Sequence, residues 1–220
     1  MITLYTMPGS AATVPRIALD EAGAEYSMIE LKRDEAGRNV EPEGYDLLNP
    51  MGTVPTLVDG ELVVTEAAAC CLYIAEKHRD AALMPATGSD DWAKTLRWLT
   101  LLTNTAQATF LRWYYPEQYT SDAAGLEPVQ SAAVTKLAHV AEVLSEQITD
   151  GPFLLGGEFT VADGFLAMLT GWGEDLPAGE RWSANPAIAG HYNAVAARPA
   201  AGAALTAEGF PAQFPSSNPT

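Results

Sequence analysis

The turn Pro8-Gly9-Ser10 stands where a predicted first strand gives way to a predicted first helix. The N-terminus of a helix presents unpaired N–H groups and a partial positive charge, so it can hold an anion. A serine hydroxyl there can donate a hydrogen bond to a thiolate and lower the pKa of the thiol. The same serine can instead serve only as the helix cap, and its spacing leaves both roles open.

The dipeptide Val54-Pro55 falls within a predicted strand, residues 53–58. Proline cannot donate to a strand ladder, so it lies at a sheet edge or where the backbone faces a ligand. A cis peptide bond before Pro55 would turn the N–H and C=O of Val54 outward, where they can pair with an extended peptide. The residues alone do not fix the isomer.

A third feature is Thr65-Glu66-Ala67, where the fourth predicted strand feeds a helix. N–H groups at this helix start can bind a carboxylate, and Glu66 can receive an ammonium group. An acidic residue in the first helical turn is also a common stabilising choice with no ligand involved. By contrast, Thr160-Val161-Ala162-Asp163 has the pattern of a capping box, which predicts a folding role rather than catalysis.

Strand and helix signals alternate over the first part of the chain. Alternating or β-branched segments predict strands, apolar residues at helical spacing predict helices, and Asp59-Gly60 predicts a hairpin turn. The predicted strands are residues 2–6, 26–31, 53–58 and 62–65, and the predicted helices are 11–22, ended by Gly23, and 66–78. An irregular polar segment, residues 32–49, separates the two halves of this β-α-β, β-β-α order.

Beyond Arg79 only helical patterns occur, over residues 90–115, 126–148, 160–172 and 186–197. The sequence therefore predicts an α/β domain, residues 1–80, and an all-helical domain, residues 90–210. Small and turn-forming residues between them predict a linker, residues 81–89, and the proline-containing end predicts a loose tail, residues 211–220.

Composition excludes several classes of protein. The chain has 220 residues, of which 48% are hydrophobic and 18% charged, as in globular proteins. Its formal net charge of −16 disfavours binding to nucleic acids and to anionic membrane surfaces. No run approaches the roughly 18 apolar residues that a membrane span needs. Because the first residues also lack the pattern of a signal peptide, we expect a soluble, cytoplasmic protein.

Cysteine and histidine chemistry is sparse. Cys70 and Cys71 are sequence neighbours, which disfavours a structural disulfide between them, and we expect both thiols to be buried and chemically quiet. The three histidines, His78, His139 and His191, are too far apart for metal-ligand spacing, so no metal is expected.

Taken in their order and intervals, the motifs resemble those of cytosolic glutathione transferases over nearly the whole chain. The segments that carry the resemblance are Pro8-Gly9-Ser10, Leu19-Asp20-Glu21-Ala22-Gly23, Asn49-Pro50, Val54-Pro55-Thr56-Leu57, Thr65-Glu66, Tyr73-Ile74-Ala75-Glu76-Lys77 and Thr160-Val161-Ala162-Asp163. The resemblance implies a thioredoxin-like α/β N-terminal domain that binds glutathione, an all-α C-terminal domain that shapes the second-substrate pocket, and a homodimer.

The classes within this family differ in the residue that activates the thiol, and the chain resembles more than one of them. The spacing of Val14-Pro15-Arg16-Ile17-Ala18-Leu19 is similar to that of the bacterial beta class, but Ala11 occupies the position of that class's cysteine. Pro8-Gly9-Ser10-Ala11 is instead similar to the serine-type delta and theta classes, which implies Ser10 as the catalytic hydroxyl. Thr13 is the alternative, and Tyr5 fits the register of the catalytic tyrosine of other classes less well.

The resemblance also implies the substrate-binding residues. Val54 would pair its backbone with the cysteinyl part of glutathione, for which we expect the Val54–Pro55 bond to be cis. Glu66 with the Ala67 N–H would hold the γ-glutamyl end. Ala67 lacks the hydroxyl that the family often places there, and Gln107-Ala108 replaces the beta-class His-Lys pair. The nearest cations for the glycyl carboxylate are Lys32 and Arg33. The second substrate would lie among Met7, Phe110, Trp113, Tyr114 and Trp172.

The function implied is a glutathione S-transferase of the detoxification type, whose thiolate attacks an electrophilic, largely apolar molecule. Glutathione is then a co-substrate, and no metal takes part. Two alternatives stay open: a non-catalytic glutathione- or ligand-binding protein, and a specialised glutathione-dependent isomerase, dehalogenase or ether-cleaving lyase. Substrate identity depends on contacts in the helical domain, and nothing in the sequence selects among these activities.

Overall fold

The computed structural model describes residues 1–35, 37–148 and 150–215. The chain forms two compact units, one of Met1–Met84 with Ala196–Ala212 and the other of Pro85–Val195 with Gln213–Thr220. The sequence placed residues 90–210 together in a helical domain, whereas the structure groups residues 196–212 with the N-terminal unit. The physical reason is a C-terminal helix whose two ends form ion pairs with the first helix of the chain.

The N-terminal unit is built on a mixed four-stranded sheet. Its strands are β1, Ile2–Thr6, β2, Tyr26–Glu30, β5, Thr56–Asp59, and β6, Leu62–Thr65, in the order β2-β1-β5-β6. β1 is parallel to β2 and antiparallel to β5, and β5 pairs antiparallel with β6 in a hairpin where Asp59 lies opposite Leu62. Gly60 adopts a positive φ of 64° in the hairpin turn, which glycine allows without a steric penalty.

Four helices complete the N-terminal unit: α1, Thr13–Glu21, α2, Tyr45–Leu48, α3, Ala67–Lys77, and α9, Pro199–Ala207. Gly23 follows α1 with a φ of 60°, and this left-handed residue ends the helix as its sequence position predicted. Leu4, Ile17, Leu57 and Ile74 are fully buried and form the core between the sheet and the helices. A short hairpin, β3, Lys32–Arg33, with β4, Asn39–Glu41, lies within the segment that the sequence left irregular.

The second unit consists of helices. They are α4, Asp90–Leu101, α5, Ala108–Tyr114, α6, Leu126–Gln147, α7, Val161–Trp172, and α8, Pro186–Ala196, and the π-helical segment Leu102–Gln107 joins α4 to α5. Helix α7 is buried from Val161 to Gly171 and forms the centre of the unit. Within the described residues after Asp91 only isolated β-bridges occur and no strand, as the sequence predicted. The predicted fold, a thioredoxin-like α/β domain with an all-α domain, is thus confirmed.

Two local expectations are corrected by the structure. The strand predicted over residues 53–58 begins only at Thr56, because Pro55 lacks an N–H for the ladder. The predicted loose tail is anchored in its first half: Phe214 is buried, its N–H donates to Asn193 Oδ1 and its carbonyl accepts from Asn193 Nδ2. The rest of that tail, residues 216–220, lies outside the described residues.

The described residues contain neither a membrane-spanning helix nor a metal-binding cluster. No helix among the described residues has the length and apolar character needed to cross a membrane. In the same part of the chain, no group of three or more His, Cys, Asp or Glu side chains is arranged to hold a metal ion.

Candidate active site

The turn after β1 is fixed by hydrogen bonds of its own backbone. Gly9 has a φ of 68°, the left-handed conformation that glycine adopts readily. The Ser10 N–H donates to the Met7 carbonyl at 3.2 Å, and the Thr13 N–H donates to the Ser10 carbonyl at 3.0 Å. The turn therefore delivers Ser10 to the N-terminal end of α1, where backbone N–H groups favour a negative charge.

The half-buried Ser10 hydroxyl lies at this helix end, and its oxygen accepts a backbone hydrogen bond. Ala12, and not Ser10, is the residue that precedes the first helical residue of α1. The Ser10 Oγ accepts the Ala12 N–H at 3.2 Å, which is the geometry of a serine turn rather than of an N-cap. An accepted hydrogen bond uses a lone pair of the oxygen and leaves the hydroxyl proton available for another acceptor.

The alternative hydroxyls are placed differently. Thr13 is fully buried in α1, and its Oγ1 has no hydrogen-bond partner among the described residues. Tyr5 lies on β1, half-buried, with its ring centroid 5.3 Å from that of Tyr45. Of the three hydroxyls, that of Ser10 lies at the helix end and is partly exposed. The Thr13 hydroxyl is buried in the core, and the Tyr5 hydroxyl belongs to strand β1.

The Val54–Pro55 peptide bond is cis, as predicted. Among the described residues, neither the N–H nor the C=O of Val54 has a hydrogen-bond partner. The preceding carbonyl, that of Thr53, accepts the Tyr45 hydroxyl at 2.5 Å and Asn49 Nδ2 at 2.7 Å. Val54 is therefore held by its neighbours while its own backbone groups stay available to an extended ligand.

Tyr45 was missed by the sequence analysis, because no short motif marks it. Its buried hydroxyl also lies 2.7 Å from Thr56 Oγ1, so one side chain contacts the Thr53 carbonyl before the Val54–Pro55 bond and the Thr56 hydroxyl after it. Burial raises the pKa of Tyr45, and the phenol remains a proton donor at neutral pH. Asn49 belonged to a segment that the sequence singled out, although only for its family resemblance.

The Glu66–Ala67 segment joins β6 to α3 through an unusual backbone. Glu66 has φ 68° and ψ 122°. This backbone conformation is energetically unfavourable for any residue other than glycine, and such conformations cluster at functional sites. Its carboxylate is exposed and has no ion-pair or hydrogen-bond partner in the part of the chain that the structure describes. Ala67 is the first residue of α3, so its N–H lies among the unpaired donors of the helix start.

The two predicted cations are both engaged. Lys32 Nζ lies 2.6 Å from Glu41 Oε2, and the hydrogen bond and charge of Glu41 raise the pKa of Lys32. Arg33 donates from Nε to Asn39 Oδ1 and from Nη2 to the Gly52 carbonyl, each at 3.1 Å. Arg33 thus braces the loop before Val54, and a role for either cation at a glycyl carboxylate stays a prediction.

The residues predicted for the second substrate divide between the two units. Met7 lies in the N-terminal unit, whereas Phe110, Trp113 and Tyr114 lie on α5 in the helical unit. Phe110 is fully buried, with its ring centroid 6.0 Å from Trp172. The common pocket that the sequence analysis assigned to these residues stays a prediction.

Tyr114 belongs to a hydrogen-bonded aromatic cluster of the helical unit. Its hydroxyl donates to Asp175 Oδ2 at 2.8 Å and lies 3.1 Å from the Trp172 carbonyl. Burial, followed by the hydrogen bond and charge of Asp175, raises the pKa of Tyr114. The phenol therefore remains protonated at neutral pH and can donate but not act as a phenolate base.

Comparison with protein-family models identifies both units of the chain. Residues 1–76 match the model of the glutathione S-transferase N-terminal domain. Residues 102–199 match the model of the glutathione S-transferase C-terminal domain.

Individual relatives match over most of their length. Glutathione S-transferase 3 of Zea mays is 32% identical over 209 residues, which cover 90% of each chain. A bacterial beta-class glutathione S-transferase of Sphingomonas chungbukensis has a TM-score of 0.79 and 31% identity, covering 94% of this chain and 98% of its own. A sphingomonad glutathione S-transferase, solved in complex with glutathione, has a TM-score of 0.77 and 30% identity over the same shares. The chain belongs to the glutathione S-transferase family.

Proposed function

We propose that this glutathione transferase holds glutathione on its N-terminal unit and that the Ser10 hydroxyl stabilises the thiolate form of the co-substrate. The thiolate then attacks an electrophilic, largely apolar second molecule and forms a carbon–sulfur bond. The electron pair of the broken bond leaves with the leaving group or, in an addition, is taken up by a proton. A free thiol has a pKa of about 8.5, and lowering it by about two units stabilises the thiolate by about 2.7 kcal/mol.

One observation carries the proposal for Ser10. Its oxygen accepts the Ala12 N–H at 3.2 Å, so the hydroxyl proton is left to a ligand, and the residue lies at the N-terminal end of α1. A charge-assisted hydrogen bond and the partial positive charge of a helix N-terminus both favour thiolate over thiol.

The unpaired groups of the N-terminal unit support a binding mode for the tripeptide. The Val54 backbone would pair with the cysteinyl residue in the manner of a short added strand, with Pro55 fixing the bend that follows. At the γ-glutamyl end of the tripeptide, the exposed Glu66 carboxylate would receive the ammonium group. The Ala67 N–H would donate to the carboxylate of the same γ-glutamyl residue. Lys32 and Arg33 would have to exchange their present partners to bind the glycyl carboxylate.

The second substrate is proposed to be apolar because the residues assigned to it are mostly aromatic. The half-buried Trp113 and Tyr114 would contact it, while the buried Phe110 would support them from within the helical unit. Conjugation to a charged, water-soluble peptide would fit a detoxifying role.

Two measurements on the purified chain test the reaction. Conjugation of glutathione to a general aryl halide electrophile is followed by absorbance, and glutathione binding is measured by calorimetry. We expect both turnover and binding. Binding without turnover, and without any effect of Ser10→Ala on the bound thiol, would instead support a non-catalytic glutathione-binding protein. Turnover only with other substrate classes would point to the specialised isomerase, dehalogenase or lyase activities.

Assembly and location are proposed on the family relationship alone. We expect a homodimer, and light scattering at micromolar concentration should give about twice the mass of the 23.4 kDa chain. A monomer mass would contradict it. A cytoplasmic location is the corresponding expectation and is tested by fractionation of cells that express the chain.

A further inference from the structure

A buried glutamate at the end of the C-terminal helix is bound to the turn that carries Ser10. Glu208, the residue that follows α9, accepts the Gly9 N–H with Oε2 at 3.0 Å. Its other oxygen, Oε1, accepts Arg16 Nη1 at 2.7 Å. Only 3% of the Glu208 side chain is exposed, so the carboxylate is buried, and both of its hydrogen bonds are partly buried. One carboxylate therefore joins the turn, α1 and α9, across 199 positions of sequence from Gly9.

The opposite end of the same helix pair carries a second acidic residue with a different role. Glu21, the last residue of α1, accepts Arg198 Nε at 3.0 Å and Nη2 at 2.6 Å, and also the Ala201 N–H at 3.2 Å. Glu21 and Glu208 thus both link α1 to α9. Of the two, Glu208 also binds the turn before α1. A comparison of the two residues can therefore distinguish positioning of the turn from simple linkage of the helices.

Holding Gly9 has a direct consequence for Ser10. Glu208 holds the N–H of Gly9, which has a left-handed backbone conformation and directly precedes Ser10. Charged acceptors make shorter and stronger hydrogen bonds than neutral ones, so this anchor restrains the turn more than a backbone carbonyl would. The Arg16 guanidinium pairs with the carboxylate, so the anchor adds no unpaired negative charge beside a bound thiolate.

We propose that Glu208 is a positioning residue for thiol activation: by fixing the Gly9 N–H, it aims the Ser10 hydroxyl at the glutathione sulfur. This inference rests on the function proposed above for Ser10. Without the Glu208 carboxylate the turn retains its own backbone hydrogen bonds but loses the charged acceptor of the Gly9 N–H. The hydroxyl then spends less time in reach of the sulfur, and the bound thiol becomes less acidic.

The experiment is a double-mutant cycle between the two residues. Glu208→Ala and Ser10→Ala are made singly and together. The pKa of bound glutathione is read from the pH dependence of kcat/KM for the electrophile at saturating glutathione, and from thiolate absorbance. We expect Glu208→Ala to lower kcat/KM by about tenfold and to raise the thiol pKa, with a change of glutathione Kd below about threefold. In the double variant, the loss should be no larger than that of Ser10→Ala alone, because both changes remove one interaction.

Three further variants separate positioning from stability. Glu21→Ala removes a comparable ion pair between the same helices and should leave the thiol pKa unchanged. Glu208→Gln keeps an acceptor oxygen for Gly9 and should recover kcat/KM to within about threefold of the parent. Glu208→Asp keeps the charge beside Arg16 but is one methylene too short to reach Gly9. It should reproduce the loss and serves as the test if the alanine variant does not fold.

Each of the other outcomes contradicts either the positioning role of Glu208 or the proposed role of Ser10. If Glu208→Ala and Glu208→Asp leave the thiol pKa at the parent value while Ser10→Ala raises it, the positioning role is wrong and the role of Ser10 stands. Losses that multiply in the double variant, or an equal effect of Glu21→Ala, also overturn the positioning role. A parent thiol pKa in Ser10→Ala overturns the proposed role of Ser10 and the inference that depends on it.

Discussion

The Ser10 hydroxyl oxygen accepts the N–H of Ala12 at 3.2 Å. From the sequence, a structural role for this serine and a catalytic one stood as alternatives. The geometry makes them compatible, because the structural hydrogen bond uses the oxygen's lone pair and the catalytic one would use its proton. A test of Ser10 must therefore separate two losses that occur in the same variant.

Ser10→Ala should lower kcat/KM by roughly ten- to a hundredfold, the effect of losing about 1.5–3 kcal/mol from a hydrogen bond to a charged group. The pH–rate profile should move to higher pH, because the thiol pKa rises and a smaller fraction is thiolate at a given pH. Loss of the Ala12 hydrogen bond should also cost about 1 kcal/mol of stability, the net contribution of a typical hydrogen bond. Steady-state kinetics across pH and urea unfolding measure the two effects.

Ser89 provides the matched control for this variant. It caps α4 in the helical unit and accepts the Trp92 N–H at 3.1 Å. Ser89→Ala should cost about the same stability, about 1 kcal/mol, and leave the thiol pKa where it was. Equal pH–rate profiles for the two variants would remove Ser10 as the thiol activator.

Glu66 should show opposite effects on stability and binding. Because its φ of 68° favours glycine, Glu66→Gly should raise the free energy of unfolding by about 1 kcal/mol. The same change removes the proposed carboxylate partner of the γ-glutamyl ammonium group, so glutathione Kd should rise by about tenfold. Urea unfolding and calorimetry on the same preparations test both effects.

Ala82 is the control for the backbone effect alone. It also has a positive φ, 54°, and belongs to none of the segments assigned to glutathione. Ala82→Gly should stabilise the chain slightly and leave glutathione binding unchanged. An unaltered Kd in Glu66→Gly would show that its carboxylate does not contact the co-substrate.

The elements predicted correctly from the sequence are those whose signals are local. β1, β2 and the β5–β6 hairpin follow from alternation and a glycine turn, and α1 ends at the expected Gly23. The helix predicted over residues 90–115 is interrupted in the structure by the π-helical segment Leu102–Gln107. One extra residue in a turn barely shifts an apolar stripe, so hydrophobic periodicity does not reveal it.

The contacts that organise the site were beyond sequence reasoning. Glu208 meets Gly9 from 199 positions away, and no short motif encodes such a pairing. Similarly, the Tyr45 hydroxyl reaches the Thr53 carbonyl from an α2 helix of four residues, in a segment where no helix was predicted. Val54 and Ser10 could be singled out as candidates because they stand in local motifs, whereas the contacts that hold them depend on the tertiary fold.

The stability of the chain should fall at alkaline pH because of Cys70. Burial raises the pKa of this thiol from its ordinary value of 9.0 to about 12, and its Sγ donates to the Val64 carbonyl at 3.4 Å. Between these two values the unfolded chain releases a proton that the folded chain retains. The free energy of unfolding should therefore fall with rising pH by up to about 1.4 kcal/mol per unit from this group.

The comparison of the parent chain with Cys70→Ala at pH 9 and pH 11 isolates this contribution. The variant should start less stable, since a buried side chain is truncated, but lose less stability as the pH rises. At pH 8 the native parent should not react with a thiol reagent, because Cys70 and Cys71 are both fully buried. Rapid labelling of the native chain, or equal pH slopes for the two proteins, would contradict the burial.

Asp163 is the residue of the helical unit on which we expect stability to depend most. The predicted capping box is present, with the Thr160 N–H donating to Asp163 Oδ2 at 2.7 Å. The other oxygen, Oδ1, accepts the Leu154 N–H at 2.8 Å and lies 3.0 Å from His191 Nε2. The carboxylate is fully buried, so every one of these partners would lose its acceptor without gaining water.

Asp163→Ala should therefore lower the free energy of unfolding by at least about 3 kcal/mol, beyond the loss of about 1 kcal/mol expected for a cap alone. Asp163→Asn keeps the shape and one acceptor oxygen and should fall between the parent and the alanine variant. Asp122 is the matched control: it is exposed in the same unit, accepts the Ala124 N–H at 2.9 Å, and should cost no more than about 1 kcal/mol when changed to alanine. Urea unfolding of the four proteins gives the comparison. Equal losses for the Asp163 and Asp122 alanine variants would mean that the buried network adds nothing to the cap, and the central role given to Asp163 would be wrong.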